Sequence, residues 1–196
     1  MAVSEKLQNY LRTSKVKFAA AKHPVVYTAQ EIAAAQHVPG RRLAKSVLVK
    51  TERGALLAVL PAVQLIDLKR LKALLKAKTL AIAKEPEIRE QFPDVEVGAM
   101  SPFGNLYNVP VVVDRSLGES DTIVFNAGSH TETITMRYQD FAALVKPKAG
   151  SFGQPIGARA AKKRGKPERK SKRPSRKTSA RSRSKTSSYR KNKRRR

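Results

Sequence analysis

The stretch Ala44-Lys45-Ser46-Val47-Leu48-Val49-Lys50-Thr51-Glu52-Arg53-Gly54-Ala55-Leu56-Leu57-Ala58-Val59-Leu60 decides the fold class. Residues 45–50 and 54–60 are β-rich runs, and Thr51 to Gly54 between them suits a hairpin. Downstream, Asp67 caps a helix that carries Leu68, Leu71, Leu74 and Leu75 on one stripe and lysines on the other. Thr79 to Ala83 reads as a short strand and Glu85 to Gln91 as a short helix. Three further strands follow at Val109 to Val113, Thr122 to Asn126 and Glu132 to Met136, and a helix from Tyr138 to Val145 closes the domain. Upstream, Thr28-Ala29-Gln30-Glu31 has capping-box spacing and opens a helix to about Gln36 that stops before Pro39-Gly40. Phe18 to Ala21 is a short extended piece leading to His23-Pro24, and Ser4 to Leu11 places Leu7, Tyr10 and Leu11 at helical spacing. Strands and helices are mixed without a regular βαβ repeat. The expectation is an α+β fold, a mixed β-sheet or barrel-like core with surrounding helices.

The chain has 196 residues with 41 Lys+Arg against 15 Asp+Glu, and the charge is concentrated at one end. Residues 158–196 hold 20 basic residues and one acid, Glu168, and contain no Val, Ile, Leu, Met, Phe or Trp. A segment of that kind cannot offset its ordering entropy by burial, so 158–196 is expected to be a disordered polybasic tail. Gly150 to Gly157, rich in breakers, reads as a linker. Residues 1–149 then form one domain, long enough to fold around a single core. Zero cysteines exclude disulfides, thiolate nucleophiles and Cys-ligated metals. The longest apolar run, Ala55 to Val63, is far short of a membrane span, and the first residues lack a signal-peptide core. The expectation is a cytoplasmic protein without membrane association.

No phosphate-cradling loop, dinucleotide fingerprint, His-Glu-x-x-His or nucleophile elbow is present. Strand alternation puts Lys45 on one face with Val47 and Val49, a placement open to a pocket as well as to a solvated strand end. The loop Gly98-Ala99-Met100-Ser101-Pro102-Phe103-Gly104 brackets a Ser-Pro turn with two glycines, and Phe103 either borders a ligand or plugs the core. Asn126-Ala127-Gly128-Ser129-His130 is either a hairpin turn or a loop whose amides face a substrate carbonyl, with His130 a possible acid or base. In the tail, Lys162, Lys163, Arg164, Arg173, Arg181, Arg183, Arg194, Arg195 and Arg196 supply phosphate-binding charge. Tyr189 is the tail's sole ring, so base readout is not expected there.

In this order, His23-Pro24 with the Thr28–Glu31 helix start, Ala44 to Val49, Asp67-Leu68-Lys69, Gly98 to Gly104, Asp114 after a valine strand, and Asn126 to His130 resemble the YbaK/ProX family of aminoacyl-tRNA deacylases. That family includes the editing insertion of bacterial prolyl-tRNA synthetases. The resemblance runs over roughly residues 1–147. It implies a pocket for the 3′ end of a mischarged tRNA and hydrolysis of the aminoacyl ester in trans, with no metal and no cofactor. It places Lys45 on the family's functional lysine, and Gly98, Ser101, Pro102, Phe103, Gly104, Gly128, Ser129 and His130 on segments bordering the pocket, with Tyr27 as a further substrate contact. The implied partners are mischarged tRNA and an aminoacyl-tRNA synthetase. The rival expectation is a non-enzymatic nucleic-acid-binding protein that uses the polybasic tail beside a degenerate deacylase-like domain.

Overall fold

The computed structural model describes residues 3–156 apart from Val26. The expected tail at 158–196, with its nine named basic residues, lies outside the described residues, as does Gly157 of the expected linker.

Among the described residues, five helices and ten strands follow in the order α1 (Val3–Thr13), β1 (Phe18–Lys22), α2 (Ala29–Ala35), β2 (Ala44–Thr51), β3 (Gly54–Pro61), β4 (Gln64–Ile66), α3 (Leu68–Leu75), β5 (Leu80–Ile82), α4 (Glu85–Gln91), β6 (Val111–Asp114), β7 (Thr122–Asn126), β8 (Glu132–Arg137), α5 (Tyr138–Val145), β9 (Lys148–Gly150) and β10 (Gly153–Pro155). Short 3-10 helices at Gly104–Tyr107 and Arg115–Glu119 flank β6. The hairpin is present as read: β2 and β3 pair antiparallel from Ala44↔Pro61 to Thr51↔Gly54. They sit inside a five-stranded mixed sheet of order β5-β2-β3-β6-β9, in which β3, β6 and β9 run parallel. A second sheet, β1-β8-β7, is antiparallel throughout.

The two sheets meet where β2 begins, through a bridge between Leu43 and Val124 and a hydrogen bond from Val124 N–H to the Arg42 carbonyl at 2.9 Å. Between them lies the main core, with Leu48, Leu57 and Val59 from the first sheet and Ile123, Phe125, Ile134 and Met136 from the second. Leu7 and Leu11 of α1 and Phe141 of α5 complete it. Because strand side chains alternate, the other face of β2 and β3 carries Val49, Ala58 and Leu60, which pack with Leu71 of α3 and Phe152. Ile32 of α2, Leu43, Ala62 and Val124 form a third cluster over the sheet junction. The fold is thus the expected mixed α+β architecture with its core enclosed between sheets.

Local chemistry explains the helix ends. Asp67 Oδ1 accepts from the amides of Lys69 and Arg70 at 3.0 and 3.1 Å, which satisfies two orphan donors of α3. The Thr28 hydroxyl accepts from Glu31 N–H while Glu31 Oε2 accepts from Thr28 N–H, the reciprocal capping box of α2.

The C-terminal boundary differs from expectation. The helix Tyr138–Val145 does not close the domain, and 150–155 is not a linker: β9 extends the five-stranded sheet, and β10 pairs with β4. Phe152 between them is fully buried. The glycines that resemble breakers are close-packing residues here, since a Cβ on Gly150 would collide with the Leu74 side chain and one on Gly153 with Gln64. Asp114, at the end of β6, pins this segment: its Oδ2 accepts from the amides of Phe152 at 2.7 Å and Gly153 at 2.6 Å.

Candidate active site

The site sits at the sheet junction. Lys45, the second residue of β2, borders a cavity of about 30 Å³ together with Tyr27, Ile32, Leu43, Ser46, Gly98, Met100 and Asn126. Its neighbours on the same strand face, Val47 and Val49, belong to the cluster under α3, so the alternation read from the sequence holds. At the mouth of the strand, however, the sheet gives way to α2 and the lysine meets a cavity instead of a helix. Burial lowers the Lys45 pKa below its ordinary value. No hydrogen bond or ion pair among the described residues offsets that burial. A half-buried ammonium without a counter-charge is an uncommon and costly arrangement.

Two loops build the opposite wall, and they are locked to each other. Glu96 N–H donates to the Gly128 carbonyl at 3.0 Å, and Gly128 N–H donates to the Ala99 carbonyl at 3.1 Å. Gly98 and Gly128 both adopt positive φ, at 92° and 103°, which lets the loops approach this closely. His130 clamps the pair from one side. Its backbone N–H donates to Glu96 Oε2 at 2.7 Å, and its ring Nε2 lies 3.0 Å from the Val97 carbonyl. A carbonyl only accepts, so Nε2 carries the proton in this contact. The ring Nδ1 is buried with no partner among the described residues.

Tyr27 stands at the rim. The capping box that starts α2 also holds it, since Glu31 Oε2 accepts from Tyr27 N–H at 3.3 Å. Its ring leans on His130 with centroids 5.0 Å apart.

Of the residues singled out in the sequence, Lys45, Tyr27 and Gly98 come together at one cavity, and His130 lines a neighbouring one with Tyr27. Phe103 does not join them. It is fully buried against Tyr10, Phe125 and Phe141, with centroids 5.6–6.0 Å apart, so it plugs the core. Gly104 is a packing residue, because a Cβ there would lie 2.5 Å from the Val109 carbonyl oxygen. Ser101 and Pro102 are buried with them and do not border the Lys45 cavity. Gly128 has both backbone groups committed to the other loop, which removes its amide as a carbonyl binder. The Ser129 hydroxyl lies 3.2 Å from that of Thr131 within the same turn.

Sequence inspection passed over Ser46 and Asn126 as site residues. Both border the Lys45 cavity, and Ser46 Oγ and Asn126 Oδ1 are buried without partners among the described residues. Alternation assigns Ser46 to the opposite face from Lys45, and only the sheet junction brings both to one place. A polar residue at the last position of an apolar strand was the available signal for Asn126. A larger concavity of about 670 Å³, bordered by Arg41, Arg42, Glu119 and Asp121, mixes cations with carboxylates, and Arg42 is spent on Thr122. It presents no bare buried charge comparable to Lys45.

Among the described residues no helix is long and apolar enough to cross a membrane. The chain is similar to the proline–tRNA ligase of Thermosipho africanus, with 33% identity over 41% of this chain and 14% of the ligase. It is similar also to that of Kosmotoga olearia, with 34% identity over 46% of this chain and 16% of the ligase. The chain therefore matches about one-sixth of the length of these curated relatives. A crystal structure described provisionally as a trans-editing enzyme for prolyl tRNA synthetase superimposes with a TM-score of 0.70 at 21% identity, over 79% of this chain and 98% of that one. Residues 23–144, well over half of the chain, match the family model of the aminoacyl-tRNA editing domain, and the protein belongs to that family.

Proposed function

We propose that this editing domain hydrolyses, in trans, the ester that joins a wrongly attached amino acid to the terminal ribose of a tRNA. The observation that carries the proposal is the half-buried, unpaired Lys45 ammonium at a small, partly apolar cavity. An aminoacyl ester is already activated, so a site that positions water and stabilises developing negative charge suffices. Water adds to the ester carbonyl carbon, the bond to the ribose oxygen breaks, and that oxygen takes up a proton, releasing free amino acid and tRNA. Lys45 supplies positive charge to the ester oxygen or to the adjacent ribose-phosphate, and no metal or cofactor is assigned a step. The reaction belongs in the cytoplasm, with mischarged tRNA as substrate and an aminoacyl-tRNA synthetase as its source.

The polybasic segment at 158–196 holds the tRNA by charge. Each engaged phosphate contributes about 0.7–0.9 to the slope of log K against log salt. Removing 158–196 flattens that slope if the segment engages tRNA, and an unchanged slope assigns binding to the domain alone.

The decisive experiment incubates the full-length protein and Lys45→Ala with tRNA carrying Ala, Ser, Thr, Cys or Pro and follows amino-acid release. Selective release that depends on Lys45 supports the proposal. No release from any substrate, with tRNA binding intact, overturns it in favour of a binding protein.

A further inference from the structure

The β1-β8-β7 sheet and the start of β2 bring four polar residues into one row. Across β7 and β8 the register sets Asn126 opposite Thr133. Across β8 and β1 it sets Thr133 opposite Ala21, and His23, one residue past β1, continues that ladder through its amide, which donates to the Thr131 carbonyl at 2.9 Å. On the other side of β7, the parallel bridge Leu43↔Val124 brings Lys45 and Asn126 level, each two residues beyond it, and both border the same cavity. Phe125, Ile134 and Met136 point into the main core, so alternation turns Asn126, Thr133 and His23 to the opposite face, where Leu43 and Val124 meet Ile32 of α2. The row runs His23, Thr133, Asn126, Lys45.

Each member presents a polar atom with no partner among the described residues. His23 Nε2, Thr133 Oγ1 and Asn126 Oδ1 are buried and unpaired, and the Lys45 ammonium has no ion pair. Thr133 is 1% exposed and His23 8%. Protein interiors leave few polar atoms unpaired, and a contiguous run of them is a place for resident water. Side chains directly opposite in an antiparallel pair have Cβ atoms about 4.5–5.5 Å apart, and diagonal ones about 7–8 Å. Asn126 and Thr133 are of the first kind and Thr133 and His23 of the second, a span that one water bridges.

The three groups differ in what they can do with a proton. Asn126 Oδ1 only accepts a hydrogen bond, whereas the Thr133 hydroxyl both accepts and donates. At His23 the ring Nδ1 lies 2.8 Å from the Pro24 carbonyl, which only accepts, so Nδ1 holds the hydrogen and Nε2 presents its lone pair. An orienting acceptor, a relay and a proton acceptor thus follow in order away from Lys45.

We infer that this row is the path by which the attacking water loses its proton. The Lys45 cavity holds about one or two waters, and Asn126 Oδ1 orients the one that attacks. Its oxygen bonds to the ester carbonyl carbon while its proton passes through resident water and the Thr133 hydroxyl to His23 Nε2. The adduct then collapses, the bond to the ribose oxygen breaks, and the proton returns along the row to that oxygen, leaving His23 as it began. Thr133 and His23 touch no reacting atom and are positioning residues that act through water. The path rests on the deacylase proposal for its reaction.

Deacylation kinetics of the full chain test it, on whichever aminoacyl-tRNA the wild type hydrolyses. Thr133→Val exchanges the hydroxyl for a methyl of similar shape. It is expected to lower kcat by about 10-fold or more, with KM within about twofold and Tm not reduced, because an unpaired buried hydroxyl adds nothing to the fold. Thr133→Ser keeps the hydroxyl and is expected to recover that kcat. His23→Asn keeps an amide donor for the Pro24 carbonyl but has no Nε2, and loss of a proton acceptor costs about 10²–10⁴ in rate. Water–protein cross-relaxation NMR gives a reading without turnover, with cross-peaks from resident water expected at the Thr133 methyl and the His23 ring protons. Wild-type kcat in Thr133→Val, a loss that Thr133→Ser does not recover, or a wild type without those cross-peaks overturns the path. If wild type releases no amino acid from any aminoacyl-tRNA, the deacylase proposal itself fails and takes the path with it, whereas turnover that survives Thr133→Val fails the path alone.

Discussion

Asp114 and Lys45 are both withdrawn from water, one wholly and one in part, and they are treated in opposite ways. Asp114, buried at the end of β6, accepts four hydrogen bonds: from the Ser116 hydroxyl at 2.6 Å, the Ser116 amide at 3.0 Å, and the amides of Phe152 and Gly153. Burial pushes its pKa up, but the Ser116 hydroxyl and the Gly153, Phe152 and Ser116 amides outweigh that and hold it below the ordinary value. Lys45, half-buried at the start of β2, has no such compensation, and burial alone lowers its pKa. A charge whose bonds are all made inside the protein has nothing left to offer a ligand and can only hold the fold together. A charge left bare is a cost in the empty protein that an incoming oxyanion or phosphate can relieve.

Lys45→Ala is the sharpest way to break this comparison. Loss of one group that stabilises transition-state charge typically costs about 10²–10³ in kcat. Deacylation by this variant should fall by that order with Tm undiminished. The pH profile adds a second reading. Because the folded-state pKa of Lys45 lies below the ordinary lysine value, kcat/KM, corrected for uncatalysed hydrolysis, should decline as pH rises through that lowered value. In Lys45→Arg, whose guanidinium stays protonated, whatever activity survives should show no such limb. A Lys45→Ala variant of full activity would place the chemistry elsewhere.

Asp114→Ala should show the converse, a loss of stability with activity per folded molecule retained. Three amides lose their acceptor, at a cost of about 2–4 kcal/mol. In a domain of this size that lowers Tm by about 4–16 °C. The carboxylate's contribution is complete above its unfolded pKa of about 3.9 and is lost as pH falls through the lower folded-state value. Thermal melts of wild type should therefore lose Tm on acidification below about pH 4, and Asp114→Asn should flatten that limb. Deacylation that fell in step with Lys45→Ala would show that the C-terminal strands serve the site as well as the fold.

The same contrast explains what was legible in the sequence. The hairpin and the Thr28 and Asp67 caps are local patterns of spacing, and they are found where the spacing puts them. The strands at 148–150 and 153–155 were hidden, because Gly150 and Gly153 are required by contacts to Leu74 and Gln64, residues more than seventy positions away. Their partner Asp114 was visible only as a residue after a valine strand. At the site, Lys45 was legible from alternation and from the resemblance. The loop Gly98 to Gly104 divides, with Gly98 and Met100 facing the cavity and Phe103 and Gly104 the core, and no local pattern separates those fates. Ser46 and Asn126 enter the site through the sheet junction at Leu43 and Val124, a contact that no spacing rule contains.

The smallest expected effect tests the premise that Lys45 is a cost. Its folded-state pKa lies below its unfolded one, so between those values the unfolded chain binds more protons and stability rises with pH. The penalty of the buried charge is therefore complete below the folded-state pKa and is relieved as pH rises through it. Lys45→Met fills similar space without the charge and should raise Tm at neutral pH. The ammonium is only half-buried, so solvent screening keeps the gain to a few degrees, with about 1 kcal/mol corresponding to about 2–4 °C. The gain should shrink in alkaline buffer, where the wild-type lysine is itself neutral. A stabilised, inactive Lys45→Met would mark this residue as one retained for chemistry at the expense of the fold. A destabilised one would mean that the lysine stem and ammonium already have their partners in the folded chain, as Asp114 does, and the contrast between the two buried charges would disappear.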